Sequence, residues 1–200
     1  LLDEQELSPE PALPSVVEQA KGTVEFQNVR FGYTPDHILM HNINFSVKPG
    51  QKVAIVGSTG AGKTTLINLL MRFYELNGGK ITLDGTDTKD MTRSNLRSNF
   101  GMVLQDTWLF GGTIAEKKQA LEIYKLMGCR DLARVDFFVR TMSHGYDTVL
   151  SNDAENISIG QRQLLTIARV FLCDPAVIIL DEATSSVDTR TEIEIGKAMK

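Results

Sequence analysis

The chain has few of the residues that build disulfide scaffolds or metal sites, and it has no long apolar run. The spacing of its two cysteines, Cys129 and Cys173, matches neither a metal site nor a disulfide framework, which favours a reducing compartment. No apolar stretch approaches the length of a membrane span, and no signal peptide opens the sequence. Any link to a membrane is therefore expected through another chain or another part of the gene product.

Excess positive charge is absent as well. The formal net charge is −4 at pH 7 over 200 residues, of which 42% are hydrophobic and 23% charged. This acidic balance argues against a nucleic-acid surface spread over the whole molecule, although it leaves room for a local anion site. The composition is that of a globular protein with ample apolar material for a core, and the length suits one domain, with or without a small insertion.

Residues 1–20 differ in composition from the rest of the chain. They contain five acidic residues, no basic residue, and Pro9, Pro11 and Pro14, which are half of the prolines in the chain. This composition predicts an acidic, proline-containing extended linker rather than core. Because the chain begins with Leu1 and not with methionine, we interpret it as a piece of a longer polypeptide.

From Thr23 onward, short strands alternate with helices, which predicts an α/β fold with a mainly parallel sheet. Alternation places Val24, Phe26 and Val29 on the inward face of the first strand. The run KVAIVG at 52–57 is apolar and ends in glycine, as a buried parallel strand does. The other predicted elements are a strand at 43–47, a helix from Lys63 to about Tyr74, strands at 80–84, 100–105 and 176–182, and mostly helical structure over 113–145.

A glycine-rich loop follows the predicted strand at 52–57 and opens the helix that begins at Lys63. The sequence GSTGAGKTT fits G-x-x-x-x-G-K-[ST], whose backbone N–H groups and helix N-terminus bind phosphate. Lys63 can reach the β- and γ-phosphates, and the Thr64 hydroxyl can bind Mg²⁺. The predicted phosphate-binding residues are Gly57, Ser58, Thr59, Gly60, Ala61, Gly62, Lys63, Thr64 and Thr65.

Two acids end the apolar run AVIILDE at 176–182. An aspartate at the end of a buried strand beside such a loop can hold Mg²⁺, and we assign this role to Asp181. Glu182 is then placed to orient or deprotonate an attacking water.

A second helix start, at ISIGQRQ, is predicted to be well capped. Ser158 is a good N-cap, and Gln161 three residues later completes a capping box. Gly160 is a poor helix former in the first turn, but its bare backbone suits close approach by an anion. The amphipathic stripe that follows comprises Leu164, Leu165, Ala168, Phe171 and Leu172.

Five motifs occur in an order that resembles the nucleotide-binding domain of ABC transporters of the exporter type. They are Tyr33, the phosphate loop, Gln105 in VLQDTWLF, ISIGQ at 157–161 and IILDEATSSVD at 178–188. The resemblance extends from about Thr23 to the C-terminus. It implies a P-loop NTPase core over 21–200, with an N-terminal antiparallel β part and a helical subdomain at about 106–170.

The same resemblance implies roles for single residues. Tyr33 corresponds to the aromatic that stacks on adenine, and Gln105 to the glutamine that contacts Mg²⁺ and the attacking water. Asp188 lies in the loop that connects two active sites, and the implied magnesium ligands are Thr64, Gln105 and Asp181. The signature residues that contact ATP held by the partner domain are Ser158, Gly160 and Gln161, although Ile159 departs from the usual glycine.

The resemblance implies an ATPase that powers substrate export through ATP-dependent, head-to-tail dimerisation. Its cofactors are ATP and Mg²⁺. Its partners are a second nucleotide-binding domain and the coupling helices of a transmembrane domain, which the stretch Trp108–Phe110 would contact. We expect no nucleic-acid partner, and we expect a soluble module held at the cytoplasmic face of a membrane.

The resemblance is less complete near the C-terminus. The switch histidine of the family follows the helix after Asp188, whereas His37, His41 and His144 all precede that position. We therefore interpret the chain as C-terminally truncated, without the last strands, which places turnover in doubt more than nucleotide binding. Two other classes stay open: a soluble ABC ATPase acting on nucleic acid or ribosomes, and a non-hydrolysing, ATP-dependent dimerisation module.

Overall fold

The structure is a computed structural model that describes residues 8–34, 36–58, 60–103, 112–113, 139–151 and 156–181. The chain divides into two compact units, Leu1–Phe100 and Gly101–Lys200. The predicted α/β class and the antiparallel N-terminal β part are both confirmed. The elements are β1 (Val24–Phe31), β2 (Met40–Val47), α1 (Lys63–Leu70), β3 (Gly78–Leu83), β4 (Thr86–Asp87), α2 (Arg93–Ser98), β5 (Phe100–Val103), β6 (Gly112–Thr113), β7 (Val149–Leu150), α3 (Ile159–Leu172) and β8 (Val177–Leu180).

The first unit contains a four-stranded sheet in the order β2-β1-β3-β4, in which every described pairing is antiparallel. The central strand β1 pairs Val24 with Val47 on one side and with Leu83 on the other. The predicted inward face is confirmed, because Val24, Phe26 and Val29 are almost completely buried. Alternation accounts for Val24 and Phe26, since successive side chains of a strand point to opposite sides, and an irregularity in register between Phe26 and Val29 returns Val29 to the buried face.

The segment at 51–58 differs from the prediction of a buried strand over 52–57. The structure assigns no strand there, and Val53, Ile55 and Val56 are exposed rather than buried. An apolar run forms a strand only when neighbouring strands pair with its backbone N–H and C=O groups. In the described part of the chain, this segment has no such ladder. The prediction of a buried strand over 52–57 is therefore wrong for this structure.

Helix α1 begins at Lys63, as predicted, but ends at Leu70 instead of near Tyr74. Arg72 has the left-handed conformation with φ of 53°, which a helix cannot continue through. The Arg72 side chain is buried, and its guanidinium donates to the Met91 carbonyl at 2.8 Å. The helix therefore ends where this arginine is bound by a residue distant in sequence.

Residues 8–20, the described part of the predicted linker, contact other residues of the first unit. Ser15 donates its backbone N–H to the Asp90 carbonyl at 2.7 Å, and the Glu10 carboxylate lies 3.0 Å from the Arg93 guanidinium. Arg93 also binds Glu75 at 3.0 Å. Burial acts to raise the pKa of Glu75, but hydrogen bonds from Ser8 and Arg72, with the charges of Arg72 and Arg93, hold it below its usual value. Glu10 of this segment thus binds two arginines of the domain, Arg93 at 3.0 Å and Arg72 at 4.0 Å.

The second unit packs helix α3 against a hydrophobic core that includes Val103, Leu150 and Ile167. Strands β5 and β8 pair with each other, as do β6 and β7 in antiparallel register. The β6–β7 ladder was not predicted from the sequence, because two-residue strands carry no periodic signal. About half of the predicted helical subdomain at 106–170 lies outside the described residues, over 106–111, 114–138 and 152–155. Among the helices that the structure describes, none has the length and hydropathy needed to cross a bilayer.

Asp84, in the turn between β3 and β4, anchors the start of β1. Its carboxylate accepts hydrogen bonds from the backbone N–H groups of Lys21 at 2.5 Å and Thr23 at 2.8 Å, with Gly22 at 3.4 Å. Burial acts to raise the pKa of Asp84, but these backbone donors outweigh it and hold the pKa below its usual value.

We predict that Asp84→Asn destabilises the protein at neutral pH and reduces its sensitivity to acid. Asparagine tolerates the φ of 49° at this position but offers one acceptor oxygen instead of two, a loss of about 1–2 kcal/mol. Because folding lowers the pKa, the stabilisation is complete above the ordinary aspartate pKa of about 4 and is lost as pH falls through the lower folded-state value. Urea unfolding at pH 7 and pH 3 measures both effects, and equal differences between parent and variant at the two pH values would refute the assignment.

Candidate functional site

The glycine-rich loop leads directly into the uncapped N-terminus of α1. Gly62 occupies the N-cap position with φ of 86°, a conformation that favours glycine, and no side chain caps the helix there. The Gly62 carbonyl accepts the first helical hydrogen bond from Leu66 at 2.9 Å, and Ala61 donates to the Ser58 carbonyl at 3.1 Å. Helix N-terminal N–H groups without a side-chain cap, next to a tight loop, favour binding of an anion.

Lys63 bends back over the loop. Its ammonium Nζ donates to the Gly57 carbonyl at 2.8 Å and to the Ser58 carbonyl at 3.1 Å. These bonds hold a positive charge beside the loop backbone, at the end of the helix where the dipole is also positive. Thr64 follows with an exposed side chain, whereas Thr65 is buried. Thr59 lies outside the described residues.

Tyr33 is joined to the loop helix by a hydrogen bond that the sequence did not predict. Its hydroxyl lies 2.8 Å from the Thr65 hydroxyl oxygen, although the ring is 57% exposed. This hydrogen bond joins the candidate base-binding residue to the helix that follows the glycine-rich loop, within the first unit. No local pattern indicates this contact, because the two residues are 32 positions apart.

The capping box predicted at the start of α3 is confirmed. Gln161 donates its backbone N–H to the Ser158 hydroxyl at 3.2 Å, and Ser158 donates its own N–H to the Gln161 side-chain oxygen at 3.0 Å. Ser158 is exposed and Gly160 partly exposed, so a polar helix start faces solvent in this unit. Leu164 and Ala168 of the predicted stripe are buried. The remaining members are Leu165, which packs against the core, and Phe171 and Leu172, whose side chains lie outside the described set.

Asp181 follows β8 directly and is placed by the β5–β8 ladder. Its backbone N–H donates to the Val103 carbonyl at 2.9 Å, which extends the pairing of the two strands by one residue. This carboxylate belongs to the second unit, and the phosphate loop belongs to the first. The predicted site residues Gln105, Glu182 and Asp188 lie outside the described residues, and so does the stretch Trp108–Phe110.

Thr64 and Asp181, each in its own unit, carry donor atoms of the chemical type that magnesium binds. The Thr64 hydroxyl and the Asp181 carboxylate offer the oxygen ligands that this hard cation prefers. Within the described ranges, no three side chains among His, Cys, Asp and Glu cluster into a cage for a metal ion. Magnesium commonly binds through one or two protein oxygens together with substrate phosphates, and the loop residues suit that arrangement.

Comparison with known proteins relates this site to one family. A sequence model of the ABC transporter family matches residues 40–185, which include the phosphate loop, the capping box and Asp181. A fatty acid ABC transporter ATP-binding/permease protein of Mycobacterium bovis is 50% identical over the whole chain, which covers 32% of that protein. A β-(1→2)glucan export ATP-binding/permease protein of Rhizobium johnstonii is 40% identical over 95% of the chain, which covers 33% of that protein.

A solved structure agrees with these sequence matches. A bacterial Atm1-family ABC exporter with ATP bound superposes with a TM-score of 0.84 at 35% identity, over 98% of this chain and 35% of the exporter chain. The chain thus spans about a third of the length of these relatives. From the loop geometry, the capped helix start and these matches together, we conclude that the chain belongs to the ABC transporter family as an ATPase domain.

Proposed function

We propose that this domain binds and hydrolyses Mg-ATP to power export of a substrate by a membrane transporter. The observation that carries the proposal is the Lys63 ammonium held over the Gly57 and Ser58 carbonyls at the uncapped start of α1. A positive charge and free N–H groups at one point recognise the β- and γ-phosphates of a nucleotide. The exposed Tyr33 ring, linked to the same helix through Thr65, offers a flat surface for the base.

Hydrolysis in this proposal requires the residues at the end of β8 and after β5. Thr64, Gln105 and Asp181 would hold Mg²⁺, whose charge stabilises the phosphates when it is bound. Glu182 would orient or deprotonate the attacking water. Asp188 would connect two such sites. These assignments rest on motif order and on the placement of Asp181 directly after β8.

Two partners belong to the proposal. A second nucleotide-binding domain, of the same or another chain, would place its Ser158, Gly160 and Gln161 equivalents on ATP bound here. A transmembrane domain would dock through coupling helices at the cytoplasmic face of the membrane, and the relatives named ATP-binding/permease proteins support a permease on the same polypeptide. Their names specify a fatty acid and a glucan, so we propose export without assigning a substrate. The same names favour transport over action on nucleic acid or ribosomes.

Nucleotide titration tests the binding step. Isothermal titration calorimetry with Mg-ATP and Mg-GTP should give dissociation constants within about an order of magnitude of each other, because stacking on a tyrosine ring selects weakly between bases. Absence of ATP binding would refute the proposed function. Binding with a strong preference for one base would instead refute the role of Tyr33 and leave the phosphate loop assignment intact.

A further inference from the structure

Tyr33 sits on a tight turn that the segment after α1 anchors. The backbone N–H of Gly32 donates to the Asn77 side-chain oxygen at 2.7 Å, and Asn77 donates its own N–H to the Arg30 carbonyl at 3.0 Å. A Cβ on Gly32 would overlap the His37 carbonyl oxygen across the turn, so only glycine fits there. Two hydrogen bonds to Asn77 therefore hold the backbone just before Tyr33.

The ring of Tyr33 has a second aromatic support, Tyr74, that comes from the same segment after α1. The two ring centroids are 5.2 Å apart at an interplanar angle of 89°, which is an edge-to-face arrangement. Buried Phe31 completes the group, 5.0 Å from Tyr33 and 5.7 Å from Tyr74. Edge-to-face geometry is a favoured arrangement of aromatic pairs, and it restricts the ring orientation of both members.

Core packing does not account for Tyr74, because this side chain is 42% exposed. Phe31 supplies the buried base of the group, whereas Tyr33 and Tyr74 stand above it and contact each other. An exposed tyrosine on its own samples several rotamers, and a nucleotide would have to select one of them at an entropic cost. A neighbour that holds the ring in advance removes part of that cost.

We propose that Tyr74 is a positioning residue that orients Tyr33 for the nucleotide base. It acts through the Tyr33 ring and not on the phosphates. The proposal rests on the proposed function, because it takes Tyr33 as the surface that the base contacts. It adds a residue, outside the motifs of the phosphate loop and the signature, that sets how strongly the base contributes to affinity.

The test compares Mg-ATP with tripolyphosphate, which can occupy the phosphate loop but has no base. Calorimetric titration of Tyr74→Ala should show ATP binding weakened about threefold to tenfold, the range expected for one edge-to-face pair. Tripolyphosphate binding should stay at the parent value. Tyr74→Phe keeps the ring and should restore ATP affinity.

Phe73→Ala is the matched control. Phe73 is the preceding residue and is similarly exposed, but its ring contacts the Arg97 guanidinium at 4.4 Å. If removing any aromatic ring from this segment weakened ATP binding, both alanine variants would show the loss. If Tyr74 acts by orienting the Tyr33 ring, only Tyr74→Ala should show it. We therefore expect Phe73→Ala to bind ATP like the parent.

A double-variant cycle tests whether Tyr74 acts through Tyr33. In a Tyr33→Ala background, Tyr74→Ala should cause no further loss of ATP affinity. An additional loss equal to that of the single variant would overturn the proposal, as would equal weakening of ATP and tripolyphosphate or parent-like ATP binding by Tyr74→Ala. A parent protein that binds neither ligand would instead overturn the proposed function itself.

Discussion

Replacing Lys63 by alanine is expected to weaken Mg-ATP binding about tenfold to a hundredfold. The ammonium of Lys63 lies 2.8 Å and 3.1 Å from two carbonyls of the loop, so its position beside the phosphate-binding backbone is already set. Loss of one charge-assisted contact to phosphate corresponds to roughly 1.5–3 kcal/mol. Calorimetric titration of parent and variant measures the difference directly.

The control for Lys63→Ala is a variant that removes one lysine charge outside the glycine-rich loop. Lys80 is exposed on β3, and Lys80→Ala changes the net charge equally. We expect this control to bind ATP like the parent, and we expect both variants to have circular dichroism spectra and melting temperatures close to those of the parent. Superimposable ATP titrations for Lys63→Ala and the parent would contradict the assignment of the loop.

A Glu182→Gln variant is expected to form a dimer in Mg-ATP and to be monomeric without nucleotide. Each ATP would contact the phosphate loop of one copy and the start of α3 of the other, so nucleotide acts as the link between copies. In the proposed function Glu182 activates water, so its replacement would slow hydrolysis and prolong the linked state. Light scattering at high protein concentration, with and without Mg-ATP, measures the mass.

Adding Gly160→Asp to this variant is expected to abolish the dimer. A carboxylate at this position would face the partner's phosphates and repel them. Gly160 is the second residue of α3, where an acidic side chain interacts favourably with the helix dipole. Loss of the dimer would therefore not be explained by loss of the helix.

Gly160→Asn is the neutral control of nearly equal size. It should weaken the dimer less than aspartate does, because it adds bulk without negative charge. If the two substitutions weakened the dimer equally, the small size of Gly160 would explain its role without any effect of charge. If Glu182→Gln stays monomeric at saturating ATP, with binding verified by titration, Ser158 and Gln161 form a capping box and nothing more.

Local patterns predicted the parts of the site that depend on neighbours in sequence. The capping box joins Ser158 and Gln161, which are three residues apart, and both of its hydrogen bonds are present. The start of α1 at Lys63 and the buried face of β1 were likewise correct. In each case the chain needs only its own helical or strand geometry to bring the relevant groups together.

Prediction failed or was silent where distant segments meet. The apolar run at 52–57 has strand composition, yet no strand among the described residues pairs with it, and composition alone did not produce one. The contacts of Glu10 with Arg93 join residues 83 positions apart, and a proline-rich acidic segment gave no indication that it would bind the domain. Hydrophobic periodicity does not encode such ion pairs.

The sequence by itself determined that this chain carries a phosphate-binding loop, a capped and glycine-bearing helix start and an aspartate at a strand end, in the order of an ABC transporter ATPase. Only the tertiary structure decided that Tyr33 binds Thr65 and packs against Tyr74, and that Asn77 holds the turn beneath it. The physical reason is range. Capping, alternation and loop conformation act over a few residues, whereas these contacts join the turn after β1 to segments more than 30 positions away, which only folding brings together.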